Sequence, residues 1–193
     1  MTVLMGLLAP LQFINDHVLR LGRAIGIVAI GLMVVCILIQ VFMRYVMNNA
    51  LPWPDEAARF LMLWMTGLMA PSAYRRGGFV AIDMIERFLP PRVVAGLALF
   101  LLALSLMVLI VGLQLSLKHV SSGWLFSSSS LWIPLDWIGA KSFKLKLAWM
   151  YMSLTVGIVL LIAVSAELIL RQLITMLGGG ERLTPLAVYE GAD

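Results

Sequence analysis

The sequence predicts an all-α membrane protein with four transmembrane helices and two interfacial amphipathic helices, one before span 1 and one between spans 2 and 3. Three observations lead there. Hydrophobic residues make up 62% and charged residues 12% of the 193 residues, where a soluble domain carries about 25% charged. The mean hydropathy is +1.00. The charges gather at the ends of long uncharged runs, as Lys and Arg do at lipid headgroups, so the net charge of +4 speaks for membrane lipid and against nucleic acid.

Between residues 11 and 23, Leu11, Ile14, Val18 and Leu21 recur at helical spacing, with Gln12, Asp16, His17, Arg20 and Arg23 among them. That pattern predicts a helix in the membrane interface, the alternative being a merely extended first span. Residues 24–43 are uncharged and cover roughly 30 Å of helix, the thickness of the hydrocarbon core. They form span 1, opened by Gly22 and Gly26, whose spacing permits close helix approach. Span 2 is set at about 57–74, although its uncharged part, 60–74, covers only about 22 Å. Arg59 is therefore expected to snorkel or to pair with Asp55 at i−4. Pro71 predicts a kink.

The double cation Arg75-Arg76 followed by Gly77-Gly78 closes span 2. Phe79, Ile82, Ile85 and Leu89 then mark the second interfacial helix, with Asp83 positioned to pair with Arg87 and Pro90-Pro91 ending it. Span 3 is expected at 93–117 and span 4 at 147–170, where Glu167 and Arg171 form an i,i+4 pair in the favourable orientation. The segment from Lys118 to Lys146 contains a serine run and several tryptophans, and reads as an irregular interfacial loop. Residues 1–177 thus form one transmembrane domain, and the Gly-rich tail 178–193 is expected to be mobile. The start of the chain lacks the basic region and cleavage site of a signal peptide. Bases on the side of the N-terminus, second connection and tail slightly outnumber those on the other side, which predicts cytoplasmic termini.

No catalytic constellation is apparent, so no enzyme activity is expected. Cys36 has no second thiol, and no HExxH, GxSxG or P-loop pattern occurs. His17 and His119 sit near helix ends, an arrangement that does not suit a bis-histidine haem. No cofactor or metal site is predicted. The spans also lack an evident buried acid of the kind a self-sufficient ion-coupled carrier uses at mid-membrane. The physical reading is a helical subunit that packs against another chain. Arg44, Trp53, Asp55, Glu56 and Arg59 form a charged corner with two compatible readings: local pairing at the headgroups, or a clamp between spans 1 and 2 that presents a docking edge. Arg75, Arg76, Gly77, Gly78 and Asp83 form the opposite, cytoplasmic corner. Lys141, Lys144 and Lys146 offer positive charge either to lipid headgroups or to an acidic soluble partner.

Taken in order, these residues resemble the small integral membrane subunit of tripartite ATP-independent periplasmic (TRAP) transporters. The resemblance rests on Q-V-x-x-R-Y (Gln40, Val41, Arg44, Tyr45), then P-W-x-[DE]-E-x-A-R (Pro52, Trp53, Asp55, Glu56, Ala58, Arg59). It continues with R-R-G-G-x-x-x-x-D (Arg75 to Gly78, Asp83) and P-P-R before span 3. The chain departs from the family's pattern in Asp55, where Glu is common, and in Phe79 and Ala81, near which a His or basic residue is frequent. Its third connection is also more basic than the family leads one to expect. The resemblance implies a bacterial inner-membrane system in which a periplasmic binding protein captures an organic acid and a large permease subunit carries it in with sodium or another ion. This chain would stand beside the large subunit without a substrate site of its own. The alternative by composition is a non-catalytic anchor subunit of a respiratory or other membrane enzyme complex.

Overall fold

The computed structural model describes residues 2–77, 90–133, 143–180 and 183. Four long helices dominate: α1 (Thr2–Tyr45), α2 (Trp53–Gly77), α3 (Pro91–Gly123) and α4 (Ala148–Met176). A two-stranded antiparallel sheet, β1 (Ser127–Ile133) with β2 (Phe143–Lys146), joins α3 to α4. Stretches of α1, α3 and α4 (Leu4–Tyr45, Val93–Gly123 and Ala148–Met176) are long and apolar enough to cross a membrane. α2 falls short of that measure, as its brief uncharged run foretells, and is held mainly by its neighbours: α1 on one side and α4 on the other, with α3 packed on α4.

Two expectations are corrected here. Residues 11–23 are not a separate helix before span 1; α1 is one uninterrupted helix of 44 residues that continues past Pro10. Proline is tolerated when neighbouring groups satisfy the backbone carbonyl it frees. Of the stretch 118–146, the described residues 118–133 and 143–146 are not an irregular loop. α3 runs on to Gly123, where a side chain would collide with the start of α4, since an added Cβ would lie 2.8 Å from Ala148 Cα. The chain then turns into the hairpin, closed at its base by Leu147 N–H donating to Phe126 O at 3.2 Å. The second interfacial helix, with Asp83 and Arg87, lies outside the described residues, as does most of the tail.

Helix ends follow local chemistry. Asn48 adopts the left-handed region (φ 51°) in the turn after α1, a conformation that asparagine accepts more readily than most residues. Asp55 and Glu56 occupy the first turn of α2 and Arg75 and Arg76 its last, each complementing the helix dipole. Pro90 is the N-cap of α3 and Pro91 its first residue, where a missing N–H costs nothing. Gly178 (φ 81°) ends α4, and Gly179 N–H donates to Ile174 O at 2.9 Å, satisfying an orphan carbonyl.

Packing is closest where glycines meet. A Cβ on Gly67 of α2 would lie 2.4 Å from Ser153 O, and one on Gly157 of α4 would lie 2.9 Å from Gly67 Cα. The two backbones therefore touch at this crossing, as small residues allow in membrane bundles. On α1, Gly22 faces the backbone of Leu68 in α2, with a Cβ there 3.2 Å from Leu68 O, and Gly26 faces the Met69 side chain. Leu19, Leu102, Val164 and Leu168, with Tyr74 and Ile169 against them, form a core drawing on all four helices.

Candidate functional site

Two polar assemblies tie the bundle together, one at each end of α2. The first begins with Glu56, held half-buried in the opening turn of α2. Its carboxylate accepts from Ser128 Oγ at 2.6 Å, from Ser129 Oγ at 3.3 Å, from Ser130 Oγ, and from Ser130 N–H at 2.8 Å. Ser128 Oγ also accepts from Leu131 N–H at 2.8 Å. The serine run can wrap a single carboxylate because the strand register breaks there: Ser127 pairs with Lys146 and Trp132 with Lys144, so β1 advances five residues while β2 covers two. The extra residues bulge from the ladder toward α2. Burial pushes the Glu56 carboxyl up, but the serine hydroxyls and the N–H outweigh it and bring it down to about 2, because each bond favours the charged form.

Asp55 beside it accepts from Gln40 Nε2 of α1 at 3.0 Å. Of the two expectations for Arg59, snorkelling or pairing with Asp55, the pair does not form, and Arg59 is exposed. Arg59 instead lines a cavity of about 300 Å³ together with Asp55, Glu56, Ser129, Ser130, Leu147 and Met150. Arg44 is exposed at the end of α1, and Trp53 opens α2 with 38% exposure. The corner residues are therefore brought together differently from the sequence expectation. Gln40 and Asp55 join α1 to α2, whereas Glu56 joins α2 to the hairpin. Lys144 and Lys146 stand on β2, while Lys141 lies outside the described residues. Trp124 and Trp149 meet edge to face, centroids 6.4 Å apart, at the same end of the bundle as the hairpin.

The second assembly surrounds Glu167, whose side chain is fully buried. The i,i+4 partner Arg171 donates from Nε to Oε1 at 3.1 Å, as the spacing predicts. Two further helices converge on the same carboxylate: Arg75 donates from α2 to Oε1 at 2.7 Å, and Asn15 Nδ2 donates from α1 to Oε2 at 2.7 Å. Arg75 also pairs with Asp16, and Arg23 donates to Ser72 Oγ at 2.9 Å. This buried acid is matched by cations. With Asp16 and Glu167 facing Arg75 and Arg171, the charges balance, which is the condition for ion pairs to persist away from water. Within the cytoplasmic corner of the sequence reading, Arg75 joins this network and Gly77 ends α2, while Gly78 and Asp83 lie outside the described residues. Glu167 and Arg171 were legible as a pair; Asn15, Asp16 and Arg75 as their partners were not, because nothing in local spacing connects positions so far apart.

Both assemblies lock elements of the chain to one another. A family model described as "Tripartite ATP-independent periplasmic transporters, DctQ component" matches residues 33–175. The chain belongs to the DctQ family, the small permease component of TRAP transporters. Comparison with curated proteins returns no match.

Proposed function

We propose that this chain is the fixed scaffold of a TRAP-type secondary transporter. It stands beside a large permease subunit that takes up an organic acid, delivered by a periplasmic binding protein and coupled to an ion, for which sodium is our choice. All four helices cross the inner membrane, with both termini cytoplasmic. The supporting observation is that two carboxylates of the described bundle are spent on internal ties: Glu167 holds three helices together and Glu56 holds the hairpin to α2. A subunit built this way is suited to resist movement, and transport proceeds on the large subunit. Family membership offers nothing to the alternative of a respiratory anchor.

The test is cross-linking of this chain to the static part of the large subunit in proteoliposomes. Uptake is expected to continue after cross-linking; if uptake stops, the scaffold reading fails. On the hairpin side, Lys144 and Lys146, with Lys141, would give salt-sensitive attraction to an acidic patch on the binding protein. Neutralising all three is expected to weaken that association more at low salt than at high salt. An unchanged affinity at both salt concentrations would assign the lysines to lipid headgroups.

A further inference from the structure

Asp55 and Arg59 stand one turn apart on α2, a spacing at which opposite charges commonly meet, yet Asp55 is drawn to Gln40 Nε2 of α1 at 3.0 Å. Among the described residues no hydrogen bond or ion pair engages Arg59. Glu56 does not take Asp55's place, since its carboxylate is already surrounded by four donors of the serine run. Asp55, Glu56 and Arg59 all line the cavity of about 300 Å³ that reaches Leu147 and Met150. That cavity therefore presents an unengaged guanidinium beside a carboxylate whose Oδ1 accepts nothing from the described residues. A simple anion placed there meets the charges of Asp55 and Glu56, and a simple cation meets Arg59. A molecule carrying both signs on neighbouring groups satisfies both with charge-assisted hydrogen bonds.

The depth of the cavity and its rim narrow the choice. Leu147 and Met150 flank the first residue of α4, a helix long and apolar enough to cross a membrane. Trp53, Trp124 and Trp149 are exposed at the same end, and exposed tryptophan at the end of a span belongs to the headgroup level. Leu147 N–H bonds to Phe126 O, which brings Trp124, Leu125 and Phe126 beside the cavity, all exposed and Leu125 at 80%. We propose that this cavity binds a membrane phospholipid with a phosphoethanolamine headgroup, its phosphate against Arg59, its ammonium against Asp55 and the start of its acyl chains over Leu125 and Phe126. A choline headgroup carries the same charges but has no N–H to donate to Asp55, and a glycerol headgroup has no cation at all. A soluble zwitterion has the charges but leaves Leu125 and Phe126 in water. The site stands apart from the proposed transport role, because it needs only a bilayer around this end of the bundle.

The experiment uses the full-length chain with its large subunit in phosphatidylglycerol vesicles that contain a trace of phosphatidylethanolamine bearing a photoreactive diazirine near the carboxyl end of one acyl chain. After illumination, adducts on this chain are mapped by peptide mass spectrometry. They are expected on peptides holding residues 124–126 and 147–150, and unlabelled phosphatidylethanolamine should remove them where equal additions of phosphatidylcholine or phosphatidylglycerol do not. Equal competition by all three lipids, or adducts spread over the exposed surface of the helices without preference for these peptides, overturns the site. Soluble phosphoethanolamine should compete poorly; if it competes as well as the lipid, the apolar rim contributes nothing and the lipid assignment fails. Arg59→Gln and Asp55→Asn should each lower the adduct yield about fivefold, while Lys118→Gln, exposed near the same end of the bundle, should leave it unchanged. Unchanged yield in both Arg59→Gln and Asp55→Asn counts against the assigned contacts. The comparison of headgroups is made on the unaltered chain, so it decides the matter even where a variant misfolds.

Discussion

Glu56 and Glu167 show how one residue type does different work at an open end of the bundle and inside it. Glu56 sits at the wet end of α2, and its carboxyl is held down at about 2 from an ordinary 4.5. A carboxyl depressed on folding stabilises the structure above its unfolded value and loses that contribution as pH falls through its folded value. The hairpin clasp should thus be intact above about pH 4.5 and release between there and about pH 2. Tryptophan emission from the Trp124–Trp149 pair, followed through that window in nanodiscs, should report the release. Glu56→Ala should remove the transition and weaken hairpin docking by on the order of 1 kcal/mol, given the partial exposure of the clasp. A transition that persists in Glu56→Ala would point to another carboxyl. Glu167 is different because its partners cannot turn to water. Glu167→Ala leaves Arg75 and Arg171 facing each other in a dry site, so a loss of about 3–5 kcal/mol is expected, read as lower thermal stability in detergent. A melting temperature within a degree or two of the unaltered protein would rule out a strongly stabilising network.

At the level of helices and strands, the long uncharged runs of α1, α3 and α4 were legible because bilayer thickness dictates their length. The Glu167–Arg171 pair was legible because helix geometry dictates i,i+4 contact. The hairpin was not, since four serines in a row have no strong strand preference, and what organises them is a carboxylate on another element. Nor was the α2–α4 crossing, because Gly67 and Gly157 are single glycines within apolar runs and become a contact only when two registers are set against each other. The GxxxG of Gly22 and Gly26, by contrast, marked a true close approach. These contacts separate by substitution. Gly67→Leu should force α2 and α4 apart at a cost of about 1–3 kcal/mol or more, whereas Gly31→Leu, at a position where an added Cβ meets nothing within 4 Å, should leave the melting temperature nearly unchanged. Equal effects at the two positions would show that the crossing is less tight than the backbone distances require.

Across the whole molecule, α2 is the least apolar helix and the most firmly tied: to α1 through Asp55–Gln40 and Asp16–Arg75, to the hairpin through Glu56, and to α4 through Gly67 and Arg75. This has a consequence for biogenesis. A helix with Arg59 near one end, Arg75 and Arg76 at the other and about 22 Å of uncharged length between them is a poor substrate for insertion, since charges drawn toward the bilayer centre cost about 2.5–3.5 kcal/mol each. Glu167, the carboxylate that receives Arg75, emerges from the ribosome long after α2 does. α2 is therefore expected to linger at the translocon or in the interface as a provisional segment and to settle across the membrane only once α4 arrives. A nascent chain halted before residue 148 should leave a cysteine at Ser72 open to a water-soluble maleimide, in a Cys36→Ser background, while the full-length chain should protect it. Equal protection in both would mean that α2 inserts on its own. The order in which the chain is synthesised thus makes the last helix the one that completes the second.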